Sequence, residues 1–473
     1  NYNGILKEYE RDKYLFITQT RVLDELVAAK FDILDRVRAV RVGDTSLPLT
    51  VSIGISQLGD TLQEKERNAH AALDTALQRG GDQVVAVVSA MGKTTDSLAK
   101  MAKEINPTPD SRELDRLLST GEQVSMALMA MAISAQGYPA MSFTGRQAGI
   151  ATDAMHAKAK IAQMNSTRIL EALEDGIVPV VAGFQGIDRH GDITTLGRGG
   201  SDTTAVALAY TVGADVCEIY SDVDGVYTAD PRICPRARKL DQISYDNMIE
   251  LAGAGSGVLN IRAVEFASKF GVVIHSRSAF SEACGTLVKE TDMMEEAVIA
   301  GIAHDTSQVK VTLRGVPDAP GIAAKIFTAL ADRGVNVDII IQNVSEDGFT
   351  DISFTCPKAD FDRTTAIMEG VFRAIGAREY IVDDNVAMVS MVGTGMKTSP
   401  GVAAKAFRIL AENDVNIQAI STSPIRLSVV VRKDDAARAV QVLHTGFGMD
   451  ADELFEETAL SADEIAAKLE KGR

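Results

Sequence analysis

At 473 residues the chain has room for three or four domains, and its 46% hydrophobic and 24% charged content is that of a folded globular protein. A formal net charge of −17, no tryptophan and only 5% aromatic residues exclude a nucleic-acid binder, because phosphate backbones need a basic footprint and single strands need stacking platforms. A small polyphosphate stays open as a ligand, since a local pocket of glycine amides and arginine overrides the global field. Cys217, Cys234, Cys284 and Cys356 show no Cys-x-x-Cys spacing, and they read as thiols of a reducing cytosol rather than metal ligands or disulfides. No apolar run reaches a membrane span and no signal peptide is visible, so a cytoplasmic protein without a membrane partner is expected.

In chain order, residues 1–83 stand apart, more charged than the segment after them and with their own strand–turn–strand and helix signals. From 84 to 290 short apolar strands alternate with helical stretches. Residues 84–89 read as a buried strand followed by a glycine turn and a helix over 96–105. Helices over 119–136, 160–174 and 202–212 lead into strands at 139–143, 177–182 and 216–220. Such alternation predicts an α/β domain whose sheet is covered by helices on both faces, with ligands at the carboxyl ends of the strands.

Beyond 300 the chain repeats itself. PGIAAKIF (320–327) recurs as PGVAAKAF (400–407), and GVNV (334–337) as DVNI (414–417), each 80 residues on. Each copy has an alternating strand (309–313; 387–392), a turn ending in Pro-Gly, an amphipathic helix and two further strands, the last at 350–355 or 426–431. That order predicts two ferredoxin-like βαββαβ units, with proline placed where a helix start has no use for its missing N–H.

The polar clusters fall at the predicted strand ends. TTLGRGGSD (194–202) has three glycines in four positions before a helix start, which suits backbone amides to phosphate and Arg198 to a carboxylate; a turn with Ser201 or Asp202 as cap is the plain alternative. VSAMGKTTD (88–96) offers hydroxyls, or mere capping of the next helix. STGEQ (119–123) is either a helix start with an acid near its dipole or, through Glu122, a partner for an ammonium group. EIYSDVDGVYTADPR (218–232) is a turn-rich segment, either a surface loop or, with Tyr227 and its carboxylates, a slot for adenine and ribose.

Those four strings, with SFTGRQAGI (142–150), GFQGI (183–187) and the paired repeats, resemble aspartate kinases with tandem ACT domains over about 390 residues, in family order. The resemblance implies an amino-acid-kinase sheet at 84–290, ACT domains at 305–380 and 385–460, and transfer of phosphate from ATP, with Mg²⁺, to the side-chain carboxylate of L-aspartate. Arg198 then binds the α-carboxylate and Glu122 faces the α-ammonium. Ser89 and Thr95 hold the reacting carboxylate, Ser201 seats the substrate and Asp202 organises the charged centre. Thr195, Gly199, Gly200, Tyr220, Ser221, Tyr227, Asp230 and Pro231 lie in the segments that hold ATP. Lysine, threonine or both act as feedback inhibitors at Asp318, Gly321, Ala323, Gln342, Ser345, Asn416 and Ile417. A homodimer or an α2β2 assembly through the ACT domains is implied, and Met294-Glu295-Glu296-Ala297 resembles the start of the small subunit that some members make separately.

The resemblance breaks in two places. Aspartate kinases open on a strand carrying Lys-Phe-Gly-Gly-Thr-Ser, whose lysine contacts ATP phosphates, and this string is absent; Gly257 stands where a second nucleotide-contacting lysine is frequent. In place of the first strand, YERDKYLFIT (9–18), LTVSIGIS (49–56) and ALDTALQRGGDQV (72–84) resemble a degenerate GGDEF domain of cyclic-di-AMP phosphodiesterases, an α+β fragment with Glu10-Arg11-Asp12-Lys13 at the signature hairpin. The two resemblances join near residues 80–87. Severely reduced kinase activity is therefore expected, and the competing expectation is an inactive amino-acid-binding regulatory subunit.

Overall fold

The computed structural model describes residues 4–10, 13–18, 83–281, 283–290, 297–343 and 347–450. Its contacts divide the chain into two units, Asn1–Leu196 and Gly197–Arg473. At the start of the first, strands Gly4–Glu10 and Lys13–Thr18 pair antiparallel with Glu10 opposite Lys13; the other GGDEF-like strings before residue 83 lie outside the described residues.

The heart of the first unit is a parallel three-stranded sheet in the order Ala86–Val88, Val178–Ala182, Ala140–Phe143. Val180, Val181 and Ala182 are each fully buried. Successive strand residues point to opposite faces, so the central strand is covered on both sides, as the apolar run predicts. Its neighbours are not: Ala86–Val88 is half-buried throughout, and Met141 is 43% exposed. The helices Thr120–Ala135 and Thr167–Glu174 pack against the central strand. The helix Ser111–Leu118 starts cleanly, after Pro109, because Asp110 accepts the N–H groups of Arg112 and Glu113.

The helix expected over 160–174 is shorter, Thr167–Glu174. Ile161–Met164 is instead a strand, in a four-stranded sheet ordered Ile161–Met164, Ile150–Thr152, Gln185–Ile187, Ile193–Thr195. Asn165 and Ser166 separate the two: Asn165 accepts from the backbone and hydroxyl of Thr167, and Ser166 stands as the helix cap. Side chains that offer the backbone such local partners favour turns over helix interiors.

In the second unit, Cys217–Ser221 runs parallel to Ile274–Ser278, which pairs antiparallel with Thr286–Val288. Helices Gly200–Val212, Tyr245–Gly253 and Ile261–Phe270 share one apolar core with these strands through Val206, Met248, Leu251, Val264 and Ile274.

The repeats make one antiparallel sheet of six strands, in the order Ile340–Gln342, Phe349–Pro357, Gly301–Pro317, Glu379–Val392, Arg426–Arg432, Ala419–Thr422. The equivalence is close: Gly321 and Gly401 both precede a helix at φ 89°. The connectivity differs from two self-contained units laid end to end. Gly301–Pro317 pairs along its first half with residues 386–392 of the second repeat and along its second half with 379–383. The second repeat thus takes an outer strand from a segment upstream of the first. The polar run His304-Asp305-Thr306-Ser307 conceals that extension in the sequence. It forms strand all the same, with register shifts between Asp305 and Lys310, since pairing overrides weak local preference.

Candidate active site

In the first unit, Gly121 lets two elements touch. A Cβ added there would lie 2.8 Å from the Cβ of Ala90, so the start of the helix Thr120–Ala135 sits directly on the segment after strand Ala86–Val88. Glu122, only 2% exposed, accepts the Ala90 N–H through Oε1 at 3.0 Å, while its Oε2 is buried without a partner. Burial pushes its pKa above the ordinary carboxylate range, against the pull of the backbone hydrogen bonds. Ser89 is exposed at the strand end, and Thr95 lies half-buried in the first turn of the helix Thr94–Ile105. Glu122 therefore meets the segment that begins at Ser89, and Thr95 stands on the helix that follows it.

Thr195 is fully buried, and its hydroxyl donates to Asp115 Oδ1 at 2.5 Å. Asp115, itself fully buried, also takes the Ala157 N–H and pairs with His156 Nδ1 at 2.8 Å. The sequence alone does not reveal this hub. An acid inside Glu-Leu-Asp-Arg-Leu-Leu reads as a solvated helix position; its one signal is that Asp115 sits between Leu114 and Leu118 on a short helix.

In the second unit the chain enters the helix Gly200–Val212 through Gly197 (φ 80°) and Gly199 (φ 68°), with no side chain capping the helix start. A side chain at Gly199 would strike Asn260, whose side-chain atoms lie 2.1–2.3 Å from where its Cβ would stand. Asn260 fixes the turn: its Nδ2 donates to the Arg198 carbonyl at 3.0 Å, and its Oδ1 caps the helix Ile261–Phe270 by accepting from Arg262 N–H. Arg198 is exposed, and its guanidinium makes no ion pair among the described residues. Asp202, in the first helical turn, has its pKa raised by burial despite a hydrogen bond from the Asn260 backbone, and burial together with Asp202 pushes the Cys217 thiol up to about 12. A helix start without a side-chain cap, a turn of left-handed glycines whose Gly200 N–H is spent on the Gly197 carbonyl, and an arginine without an ion pair among the described residues fit phosphate and carboxylate ligands. Gly199→Ala is expected to destabilise the chain by about 2–3 kcal/mol, because it forces both a clash and a left-handed alanine. Chemical denaturation checks this, and a loss below about 0.5 kcal/mol, the level of an ordinary surface change, would show that the turn relaxes.

The remaining nucleotide candidates divide. Tyr220 is 54% exposed and its hydroxyl donates to Glu218 at 2.7 Å, whereas Tyr227 donates to Asp224 at 2.9 Å across the following turn. Ser221 closes a small turn with Val223. Asp230 is partly buried, which raises its pKa, but hydrogen bonds from Arg232 win and hold it low; Pro231 follows it. Of the effector candidates, Asp318, Gly321, Ala323, Gln342 and Asn416 are exposed and Ile417 is half-buried. Ser345 lies outside the described residues. Among the described residues no group of three or more His, Cys, Asp or Glu is arranged to hold a metal, and no helix is long and apolar enough to cross a membrane.

The Amino acid kinase family matches residues 58–276, and the ACT domain matches 311–373 and 389–447. A third profile, the GGDEF domain of the cyclic-di-AMP phosphodiesterase GdpP-like group, matches 1–95 and overlaps the first. The fold is thus that of an amino-acid kinase that carries paired ACT domains. The aspartokinase of Corynebacterium efficiens is 50% identical over 402 residues, covering 84% of this chain and 96% of that protein. The chain belongs to the aspartokinase family. Among solved structures, E. coli aspartokinase III in complex with aspartate and ADP (R-state) superposes with a TM-score of 0.63 at 24% identity, over 82% of this chain and 88% of that one. The same enzyme with lysine and aspartate (T-state) gives 0.59 at 23%, over 89% and 96%. Both likenesses bear on the fold.

Proposed function

We propose that this chain is an aspartate kinase, which transfers the γ-phosphoryl group of ATP to the side-chain carboxylate of L-aspartate. The product is 4-phospho-L-aspartate, the first intermediate on the way to lysine, threonine and methionine. The observation that carries the reading is the glycine-rich start of the helix Gly200–Val212, without a side-chain cap, with an exposed Arg198 beside it that makes no ion pair among the described residues.

Phosphoryl transfer asks a protein mainly for positioning and charge neutralisation. Arg198 clamps the α-carboxylate, and Ser201 seats the substrate next to it. Glu122 is a buried carboxyl with one oxygen unpartnered, and the α-ammonium group supplies that partner. Ser89 and Thr95 hold the attacking carboxylate by hydroxyl hydrogen bonds, and Asp202 organises the charged centre. Thr195, Gly199, Gly200, Tyr220, Ser221, Tyr227, Asp230 and Pro231 belong to the nucleotide side, with Thr195 acting through its backbone because its hydroxyl is held by Asp115. Bound Mg²⁺ supplies neutralisation of phosphate charge.

Domain limits of 84–290 for the kinase and 305–380 and 385–460 for the ACT repeats follow the sequence patterns, with 1–83 a GGDEF-like α+β segment that makes no cyclic dinucleotide. Lysine and threonine act at the effector positions named above, the ACT pair joins subunits into a homodimer or an α2β2 assembly, and the site of action is the cytoplasm. A coupled assay of aspartyl phosphate formation, with lysine and threonine titrated in, tests the whole reading. ATP-dependent product whose rate falls on adding either amino acid is expected; lysine and threonine that change neither rate nor thermal stability would end the feedback assignment. The absent Lys-Phe-Gly-Gly-Thr-Ser string favours a second reading, an amino-acid-binding regulatory subunit, which predicts a thermal shift with lysine or threonine but no product.

Glu122 gives a pH signature. A carboxyl whose pKa rises on folding holds its proton more tightly in the folded chain, so stability is lost as pH climbs from the ordinary glutamate value through the raised one. Asp202 contributes with the same sign. Glu122→Gln is expected to flatten that slope, to raise the stability of the ligand-free chain at pH 7 by about 1 kcal/mol, and to abolish aspartate binding. Melting curves from about pH 4, near the ordinary glutamate value, up to neutral pH, with aspartate calorimetry beside them, check it; an unchanged slope contradicts the assignment to Glu122.

A further inference from the structure

The segment after strand Cys217–Ser221 carries Tyr227, Asp230 and Pro231 and is built into the second ACT repeat: Ala229, Cys234 and Ala237 are 3–4% exposed and share a hydrophobic cluster with Val389, Val431 and Leu443, against which Tyr227 also packs.

Thr228 is the fixing point. Its N–H donates to the Arg238 carbonyl at 2.9 Å, and its own carbonyl accepts from Ile302 N–H at 2.7 Å, on the strand the two repeats share. Its hydroxyl oxygen accepts the Arg238 N–H at 2.9 Å and lies 2.8 Å from Nε2 of His444. His444 is fully buried in the last turn of the helix Ala436–Gly446, with Nδ1 2.9 Å from Asp450 Oδ1. A carboxylate only accepts, so Nδ1 carries a proton; in the neutral imidazole Nε2 then accepts and the Thr228 hydroxyl donates. Each hydrogen has one acceptor, and the imidazole is satisfied at both ends.

Burying an imidazole among apolar side chains costs free energy unless both nitrogens are paired, and packing alone would be served as well by leucine. We infer that His444 is a positioning residue through which the second ACT repeat sets the nucleotide-holding segment. The inference rests on the reading that Tyr227, Asp230 and Pro231 hold ATP. Because both the hydroxyl and the carbonyl of Thr228 end on the repeat, a shift of its last helix or its shared strand moves Thr228 with it, and with Thr228 the turn that carries Tyr227 and Asp230.

The test is calorimetric titration of the full chain with ADP, and separately with aspartate. Thr228→Val keeps the side chain's shape and removes the hydroxyl; it is expected to weaken ADP binding about tenfold and leave aspartate affinity within about twofold, the scatter of a site that is not coupled. Thr228→Ser restores ADP affinity. His444→Asn, too short to reach Thr228, gives the same selective loss and guards against a Thr228 variant that fails to fold. Folded variants that bind ADP like the wild type overturn the relay. Equal loss of ADP and aspartate overturns it too, since that marks general damage. A wild-type chain that binds aspartate but no ADP overturns the nucleotide reading itself, and the inference with it.

Discussion

Replacing residues 1–83 with a segment whose first strand carries Lys-Phe-Gly-Gly-Thr-Ser is expected to raise the turnover of aspartyl phosphate formation by about 10²–10³, the usual worth of one preorganised donor to a developing charge. Two observations lead there. The string is absent from the chain, and with it the cation that aspartate kinases direct at the ATP phosphates. The strand Ala86–Val88, moreover, has a single partner among the described residues, Val178–Ala182, and is half-buried although all three of its residues are apolar. A strand that finds a second neighbour there is also expected to bury Val87 and to tighten the segment bearing Ser89. Turnover of the chimaera and the parent, measured side by side at saturating ATP and aspartate, decides the matter. Equal rates would mean that the present chain neutralises phosphate charge by other means.

Arg198→Ala in that chimaera is expected to lower kcat/KM for aspartate by about 10²–10³ and to leave ADP affinity nearly unchanged, since a bidentate charge-assisted pair is lost from the substrate side alone. Arg198→Lys should recover part of the loss, because lysine keeps the charge but not the planar fork. The main chain of residue 198 is held by Asn260 whatever its side chain, so the turn should survive both changes. Steady-state kinetics with aspartate varied, and calorimetry with ADP, separate the two ligands. A parallel fall in both affinities would move Arg198 from substrate clamp to structural support.

Much of this site is legible in the sequence because its devices are local. Gly197 and Gly199 advertise backbone that only glycine adopts freely, and the structure has both at positive φ. Asn260, which caps the next helix and holds the Arg198 carbonyl, is found only in the structure, because that partner is 62 residues away. The misses are all matters of tertiary placement. Nothing local in the sequence marks Asp115 or His444, yet both are fully buried. Their partners, Thr195 and Thr228, are 80 and 216 residues away. A helix over the whole of 160–174 is too long because Ile161 and Met164 also satisfy a helical spacing, and only their partners across Ile150–Thr152 decide for strand. The outer strand of the second repeat is hidden for the same reason: nothing in 301–308 points to residues 386–392.

That shared strand makes the regulatory half of the molecule indivisible. Gly301–Pro317 is threaded through both repeats, so no single repeat can be lifted out without tearing hydrogen bonds from its twin and baring an unpaired edge open to aberrant association. Any swap of sensor modules between relatives has to carry the block from 301 through at least 446 as one cassette.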